Sequence, residues 1–170
     1  YVPADLPAGN YNMGVFLVDS QNQIMSPLQL IHQEMVITVP QRVLDLPSSE
    51  YTSYLEWDNG ITLVGYDVDD FGKVKLVWQT HQILDKNLRL FVHLLDDEDR
   101  ILSVSDGIPV DWTRPTTGWI PEEYVTTEHN LGVVDGSYRV QAGWYDAVTS
   151  VRIGVNGGDS VVIVDSLKLD

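Results

Sequence analysis

The feature that most constrains the fold is an alternation of apolar and polar residues with a period of two along most of the chain. In residues 137–146, Tyr138, Val140 and Trp144 alternate with polar or small residues. Successive side chains of a β-strand point to opposite faces of its sheet, so this pattern predicts a strand with one buried and one solvated face. Residues 73–79 show the same alternation, and no segment keeps a helical apolar stripe over three turns.

More strands are predicted between clusters of turn-forming residues. Residues 61–67 and 88–95 are apolar on both faces, which is typical of central strands. Shorter strands are predicted at 13–18, 34–39, 100–105, 122–128, 151–155 and 160–164. Short strands separated by Asp, Asn and Gly turns predict an all-β fold. The expected architecture is a two-sheet antiparallel β-sandwich with an immunoglobulin-like or jelly-roll-like layout.

Composition excludes several classes of function. Among 170 residues there are 10 Lys and Arg against 25 Asp and Glu, which gives a formal charge of −15. This acidity disfavours nucleic acids and anionic membranes as partners, since both are bound by clustered basic residues. There is no cysteine, so disulfides and thiolate chemistry are excluded. No apolar run reaches the roughly 20 residues of a membrane helix, so no membrane insertion is expected in this segment.

An internal similarity predicts how the chain is organised. Residues 6–19 can be aligned with 134–146, because in both a Gly turn leads through Tyr11 or Tyr138 into a strand that ends at Asp19 or Asp146. The alignment continues with residues 35–37 over 161–163. Residues 1–46 are therefore interpreted as the closing hairpin and last strand of a preceding repeat copy, with a linker from about residue 40. Residues 47–170 are predicted to form the complete sandwich.

The hairpin has two alternative interpretations beyond a repeat. Gly turns before Tyr and turns at Asp are common in β proteins, so the similarity can also arise by chance. A lone hairpin is marginally stable, so we expect these strands to dock on the main sandwich. The first residues, YVPADLP, lack the pattern of a signal peptide and are interpreted as a cut end. An exposed edge strand left by a missing front half could pair with a second chain and form a dimer.

Several strand and turn motifs also resemble those of a known β-sandwich module. The motifs are NGITLVGYD at 59–67, VKLVWQT at 74–80, LFVHLLD at 90–96, SDGIPV at 105–110, TTGWIPEE at 116–123 and GSY at 136–138. They are similar to a module found, often in tandem, in bacterial multi-pass glycosyltransferase-like membrane proteins and in uncharacterised surface proteins. The resemblance implies an extracytoplasmic accessory domain, periplasmic or at the cell surface, and it assigns no catalytic residue.

A long irregular segment provides the candidate binding residues. A flat aromatic ring can cover the apolar face of a sugar while polar neighbours bond its hydroxyls. The candidate residues for such a site are Trp112, Trp119 and Tyr124 with Asp111, Arg114, Glu122 and Glu123. For Trp119, burial as an anchor of the loop is the favoured alternative, because large aromatic side chains dominate core packing.

The acidic turns are the only candidate metal ligands. If a hard cation binds, the residues to examine first are Asp67, Asp69, Asp70, Asp96, Asp97 and Asp99. The calcium-loop pattern fails, because Phe71 and Trp78 occupy positions that need oxygen ligands. Calcium therefore has no motif support, no cofactor is predicted, and solvated turns are the favoured interpretation.

Three functions follow from these patterns. The first is a non-catalytic extracytoplasmic accessory or interaction domain of a larger envelope protein, whose partners are neighbouring domains or another protein. The alternative is a carbohydrate-binding module that uses the loop aromatics. A hydrolase is the weakest hypothesis, because the sequence contains no nucleophile elbow and its four histidines are scattered.

Overall fold

The structure, a computed structural model, describes residues 7–38, 41–132 and 136–169. It divides into two compact units, Tyr1–Gln41 and Arg42–Asp170. The described residues contain β-strands and a single 3₁₀ turn at Thr116–Gly118, and no α-helix. Within these ranges, no helix has the length and apolar character needed to cross a membrane.

The N-terminal unit is an antiparallel hairpin. Strand β1 (Gly9–Val15) pairs with β2 (Gln29–Ile37), with Tyr11 opposite Met35. Beyond β1, a bridge between Val18 and Ile24 closes a tight turn that begins at Asp19. The two strands form a ribbon with no second layer of its own.

The second unit is a sandwich of two four-stranded antiparallel sheets. The first sheet has the order β3-β4-β5-β8 and contains β3 (Tyr51–Glu56), β4 (Ile61–Val68), β5 (Lys73–Thr80) and β8 (Tyr124–Asn130). The second has the order β10-β9-β6-β7 and contains β6 (Leu88–Leu95), β7 (Ile101–Gly107), β9 (Gly136–Asp146) and β10 (Val161–Leu169). The predicted all-β sandwich is confirmed.

Tryptophans from both sheets and from one loop meet in the core. The rings of Trp78 on β5 and Trp144 on β9 lie edge to face with their centroids 5.0 Å apart. Trp57 packs against Trp78 and Trp119 packs against Trp144 in the same edge-to-face manner. Such aromatic pairs stabilise a core beyond the area they bury. The alternation had placed Trp78 and Trp144 on the buried phases of their strands, and this prediction is confirmed.

The same acidic turn closes two hairpins of the sandwich. In the β4–β5 turn, Asp69 Oδ1 accepts hydrogen bonds from the backbone N–H groups of Phe71 and Lys73, both at 2.9 Å. In the β6–β7 turn, Asp96 Oδ1 accepts equivalent bonds from residues 98 and 100. The fourth position has positive φ in both turns, and Gly72 and Asp99 occupy it. Asp and Gly are suited to these positions because a short carboxylate caps the turn and glycine adopts positive φ without strain.

The structure differs from the sequence-based predictions at two segments, one predicted as a strand and one not predicted. Residues 151–155 form isolated bridges, in which Arg152 pairs with Tyr145 and Val155 pairs with Trp57, and they do not form a strand. Strand β3 was missed because most of its side chains are exposed, so it lacks a clear apolar phase. Residues from Arg42 onward cluster with the sandwich, where Val43 forms a bridge with Tyr124.

Phe91, on the outer face of β6, limits the size of residue 143 on the neighbouring strand β9. Phe91 packs against Gly143, and a Cβ atom at position 143 would overlap the Phe91 ring at its Cζ atom. We expect Gly143→Ala to destabilise the sandwich by about 1–3 kcal/mol, the usual cost of overpacking. Gly118→Ala is the control, because a Cβ there would lie 4.0 Å from its nearest neighbour, Pro115. Urea unfolding measures the free energy of unfolding of both variants. Equal losses in Gly143→Ala and Gly118→Ala would show that contact with Phe91 does not limit the size of residue 143.

Candidate binding surface around Trp112

A left-handed turn after β7 presents the most unusual backbone of the sandwich. Val110, Asp111 and Trp112 follow one another with φ values of 55°, 48° and 68°. Non-glycine residues rarely adopt this region, least of all β-branched ones such as Val110, and each costs about 1 kcal/mol or more. The turn is held by hydrogen bonds from the N–H of Trp112 to the Ile108 carbonyl, at 3.1 Å, and from Arg114 to Pro109, at 3.0 Å.

This turn holds the Trp112 ring on the surface. The side chain is 58% exposed, although it belongs to the largest apolar residue type. Its ring lies against Gly107 at the end of β7, where an added Cβ would come within 3.0 Å of the indole. The Arg89 guanidinium carbon lies 5.1 Å from the ring centroid, at the range of a cation–π contact. The indole is therefore oriented by its neighbours while much of its surface faces solvent.

Polar groups of three strands lie beside the indole. Tyr145 on β9 is the cross-strand neighbour of Arg89 on β6. The Tyr145 hydroxyl donates a 2.7 Å hydrogen bond to Asp106 Oδ1 on β7. Burial and the bond to Asp106 raise the pKa of Tyr145, whereas its contact with Arg89 acts against them. The phenol therefore stays neutral at physiological pH and can exchange hydrogen bonds with a ligand. Trp112, Arg89, Tyr145 and Asp106 are called the Trp112 surface below.

A small polar cavity lies beneath the turn. Its volume is about 60 Å³, and Ser105, Asp111, Trp112 and His129 are among the residues that line it. This space fits a few water molecules and is too small for a sugar ring. A ligand of the Trp112 surface would therefore lie outside this cavity, on the part of the indole that Arg89 and Gly107 leave uncovered.

His129 connects the two sheets below this cavity. Its Nδ1 lies 2.9 Å from the Ser105 hydroxyl on β7, and its Nε2 lies 2.9 Å from the Thr127 hydroxyl on β8. Thr127 also accepts a 3.0 Å hydrogen bond from the Trp78 indole N–H. Burial lowers the pKa of His129 to about 4, and the negative charge of Asp111 opposes this shift only in part. The imidazole is neutral at pH 7 and joins the sheets through uncharged hydrogen bonds.

The seven candidate residues of the irregular segment separate into an exposed and a buried group. Trp112, Asp111 and Glu122 are exposed, and Tyr124 is half-buried in β8. Trp119 is fully buried against Trp144 and its indole N–H donates to the Arg114 carbonyl. Trp119 therefore occupies the anchor position and cannot stack on a ligand.

Glu123 and Arg114 belong to a buried ion cluster. The Glu123 carboxylate is inaccessible to solvent and bonds Arg42 at 2.7 Å and Arg114 at 2.5 Å. It also accepts a hydrogen bond from the N–H of Ile120, and Arg42 donates to the Gly118 carbonyl. Both carboxylate oxygens accept hydrogen bonds from protein groups and are closed to solvent, so this carboxylate secures the loop and is not available to a ligand.

The six candidate metal ligands remain on two separate hairpins. Asp67, Asp69 and Asp70 lie at the β4–β5 turn of one sheet, whereas Asp96, Asp97 and Asp99 lie at the β6–β7 turn of the other. Across the described part of the chain, no group of three or more His, Asp or Glu side chains is arranged to hold a metal ion. Asp69 and Asp96 instead cap their own turns.

Hydrogen bonds and cations lower the pKa of three carboxyl groups of the sandwich. A hydrogen bond from Lys75 lowers that of Asp67, and the backbone N–H of Arg100 lowers that of Asp96. The N–H of Val148, with help from Lys86, lowers the pKa of Asp146 to about 2. These shifts keep the groups ionised, which is the opposite of what a general acid needs.

Several concave regions elsewhere on the sandwich are larger, and two of them exceed 500 Å³. A groove of about 520 Å³ crosses β4, β5 and β8, but its charges pair with one another, Lys75 with Asp67 and Lys73 with Glu128. An open cleft of about 820 Å³ lies along β3, β4 and β10 and contains the stacked rings of Tyr51 and Tyr66. This edge cleft has aromatic walls, but its backbone shows no strained segment comparable to residues 110–112.

Sequence patterns identified only part of the Trp112 surface. Arg89 and Tyr145 lie on the solvated phases of their strands, which the alternation of residues 137–146 indicates for Tyr145. Their contact with Trp112 and Asp106 depends on the pairing of β6 with both β7 and β9. His129 was missed because a single histidine in a polar strand carries no signal of burial.

Comparison of the chain with models of protein families, with curated proteins and with solved structures finds no match.

Proposed function

We propose that the chain is a non-catalytic accessory module of a larger bacterial envelope protein, and that its sandwich binds carbohydrate at the Trp112 surface. The observation that carries the proposal is an exposed indole held by three consecutive residues in a left-handed conformation. Backbone strain that is maintained against its cost is concentrated at functional sites.

The chemistry of the Trp112 surface supports a sugar ligand. A pyranose ring has an apolar C–H face that an indole can cover, and its hydroxyls need donors and acceptors around the rim. Arg89 supplies donors, Asp106 supplies acceptors, and the Tyr145 hydroxyl can do both. The site is shallow, so binding should be weak and should depend mainly on the indole.

The accessory role and the extracytoplasmic location rest on the motif resemblance. The NGITLVGYD and VKLVWQT segments form β4 and β5 and flank the core, and the TTGWIPEE segment contains the buried Trp119 anchor. Those motifs therefore serve the architecture of the module. Glu123 is held in a buried ion cluster and His129 in hydrogen bonds between the sheets, which also favours a binding function over hydrolysis.

Replacing Trp112 tests the proposal directly. A glycan array followed by calorimetric titration of the strongest ligand should detect binding in the micromolar to millimolar range. Trp112→Ala should weaken that binding at least about tenfold, equivalent to about 1.4 kcal/mol. Because the side chain is exposed, its loss should leave the thermal midpoint nearly unchanged.

Two further variants distinguish the outcomes. Tyr54→Ala removes an aromatic ring that is 73% exposed on β3, and it should leave affinity unchanged. Tyr51→Ala removes an aromatic wall of the edge cleft. Binding that survives Trp112→Ala but is lost in Tyr51→Ala would move the ligand to the cleft, and binding to no glycan would contradict the carbohydrate role.

A further inference from the structure

Strand β1 of the N-terminal unit corresponds to β9 of the sandwich, position by position. The two strands begin at Gly9 and Gly136; Asp146 ends β9, and Asp19 lies four residues beyond the end of β1. A constant offset of 127 residues relates Tyr11 to Tyr138, Met13 to Val140, Val15 to Ala142, Leu17 to Trp144 and Asp19 to Asp146.

The turns and strand pairings correspond as well. Asp19 Oδ1 accepts the N–H of the residue two positions later at 2.8 Å, and Asp146 Oδ1 does the same at 2.8 Å. Both strands then pair antiparallel with the strand that follows. Tyr11 lies opposite Met35, and Tyr138 lies opposite Leu167. The equivalent of Met35 is thus Leu167, so the sequence alignment of residues 35–37 with 161–163 is displaced along β10.

Equivalent side chains differ in exposure between the two strands. In β9, Tyr138, Val140, Ala142 and Trp144 all face the core and are at most 4% exposed. In and just after β1, Met13, Val15 and Leu17 are 43%, 49% and 66% exposed. A two-stranded ribbon has no second layer to cover such a face, so the hairpin presents core residues without a core of its own.

The free edge of β1 corresponds to a paired edge of β9. In the sandwich, β9 lies between β10 and β6, and it pairs with β6 from Leu88 to Leu95. Among the residues that the structure describes, β1 pairs with β2 alone. A strand with an unpaired backbone edge and an apolar face is a template for a further strand.

We propose that β1 and β2 are the closing hairpin of a second sandwich of the same type, completed by strands on the N-terminal side of the hairpin in the parent protein. A strand equivalent to β6 would pair with the free edge of β1. A sheet equivalent to β3-β4-β5-β8 would cover Met13, Val15 and Leu17. The β6 strand of a second copy of this chain is already paired with β7 and β9, so it is not available as the missing strand.

This inference extends beyond the proposed carbohydrate function and does not depend on it. It makes the chain one whole module plus the end of another, joined near residue 41. The parent protein would then carry these modules in series with a period of about 127 residues, the offset between Tyr11 and Tyr138.

Hydrogen exchange tests the proposal by comparing the 170-residue chain with a longer chain that includes about 130 more residues of the parent protein on its N-terminal side. Amides of β1 should be at least 100-fold better protected in the extended chain than in the 170-residue chain. Val15→Asp should abolish this protection. Val36→Asp is the matched control, because Val36 pairs with Asn10 on the opposite face and should tolerate the charge.

A second measurement verifies that the sandwich is intact in these variants. All five tryptophans lie at positions 57 to 144, so tryptophan fluorescence reports unfolding of the second unit alone. Its midpoint should be the same in both Val variants of the 170-residue chain.

Three results would overturn the proposal. One is equal protection of β1 in the short and extended chains. Another is equal protection of the β1 and β9 amides in the 170-residue chain, because the hairpin would then be docked on the 42–170 sandwich. The third is a dimer of the short chain that dissociates in Val15→Asp, which would make a second copy the occupant.

Discussion

Glu123→Gln is expected to destabilise the sandwich by about 3–5 kcal/mol, the cost of leaving buried charges without their partner. The variant keeps the shape of the side chain but removes the negative charge between Arg42 and Arg114, whose side chains are 19% and 14% exposed. Both guanidinium groups would then lose the negative charge of Glu123 in a poorly solvated site. Urea unfolding at pH 7, monitored by tryptophan fluorescence, measures the loss.

Glu122→Gln is the matched control for this effect. Glu122 is the neighbouring residue, and its 2.8 Å contact with His81 Nδ1 is solvent-exposed. Exposed pairs contribute little, so the control should change the free energy of unfolding by less than about 0.5 kcal/mol. Similar small losses in both variants would show that Arg42 and Arg114 find water or other partners when the carboxylate charge is removed.

Acidification is expected to remove about 3 kcal/mol of stability through His129 alone. The pKa of His129 is about 4 in the folded chain, against about 6.5 when unfolded. The unfolded state binds the proton more readily, so this contribution is fully present above pH 6.5 and is lost as the pH falls toward 4. Protonation would also require a charge in the hydrogen-bonded chain between Ser105 and Thr127.

His129→Gln isolates this contribution from that of the carboxyl groups. Between pH 7 and pH 4, the free energy of unfolding of the natural chain should fall by about 3 kcal/mol more than that of the variant. His81→Gln removes an exposed histidine and should follow the natural chain. Parallel curves for the natural chain and His129→Gln would mean that the imidazole is hydrated in the folded state.

The core and the turns were predictable because their signals are local. Burial of Trp78 and Trp144 follows from a period of two, which a strand imposes on its own residues. The turns at Asp69 and Asp96 follow from a carboxylate that caps N–H groups two and four residues later. Strand β3 shows the limit of this approach, because its exposed side chains leave no alternation to detect.

The candidate site was only partly predictable, because burial and charge pairing are tertiary properties. Trp112 and Trp119 occur in the same irregular segment, yet one is 58% exposed and the other is fully buried. Nothing local indicates that Glu123 meets Arg42 across 81 positions of sequence. The number of Asp and Glu residues in the sequence likewise does not indicate which carboxylates cap turns and which do not.

The left-handed turn before Arg114 also affects how the protein would respond to engineering. Glycine at position 110 would adopt the observed φ of 55° at little cost and would favour the folded state locally. The same replacement would loosen the backbone that orients the indole, and the proposed affinity for a sugar would fall as rigidity is lost. A redesign guided by thermal resistance alone would therefore favour glycine, whereas a screen for binding at the proposed Trp112 surface would retain the less stable valine.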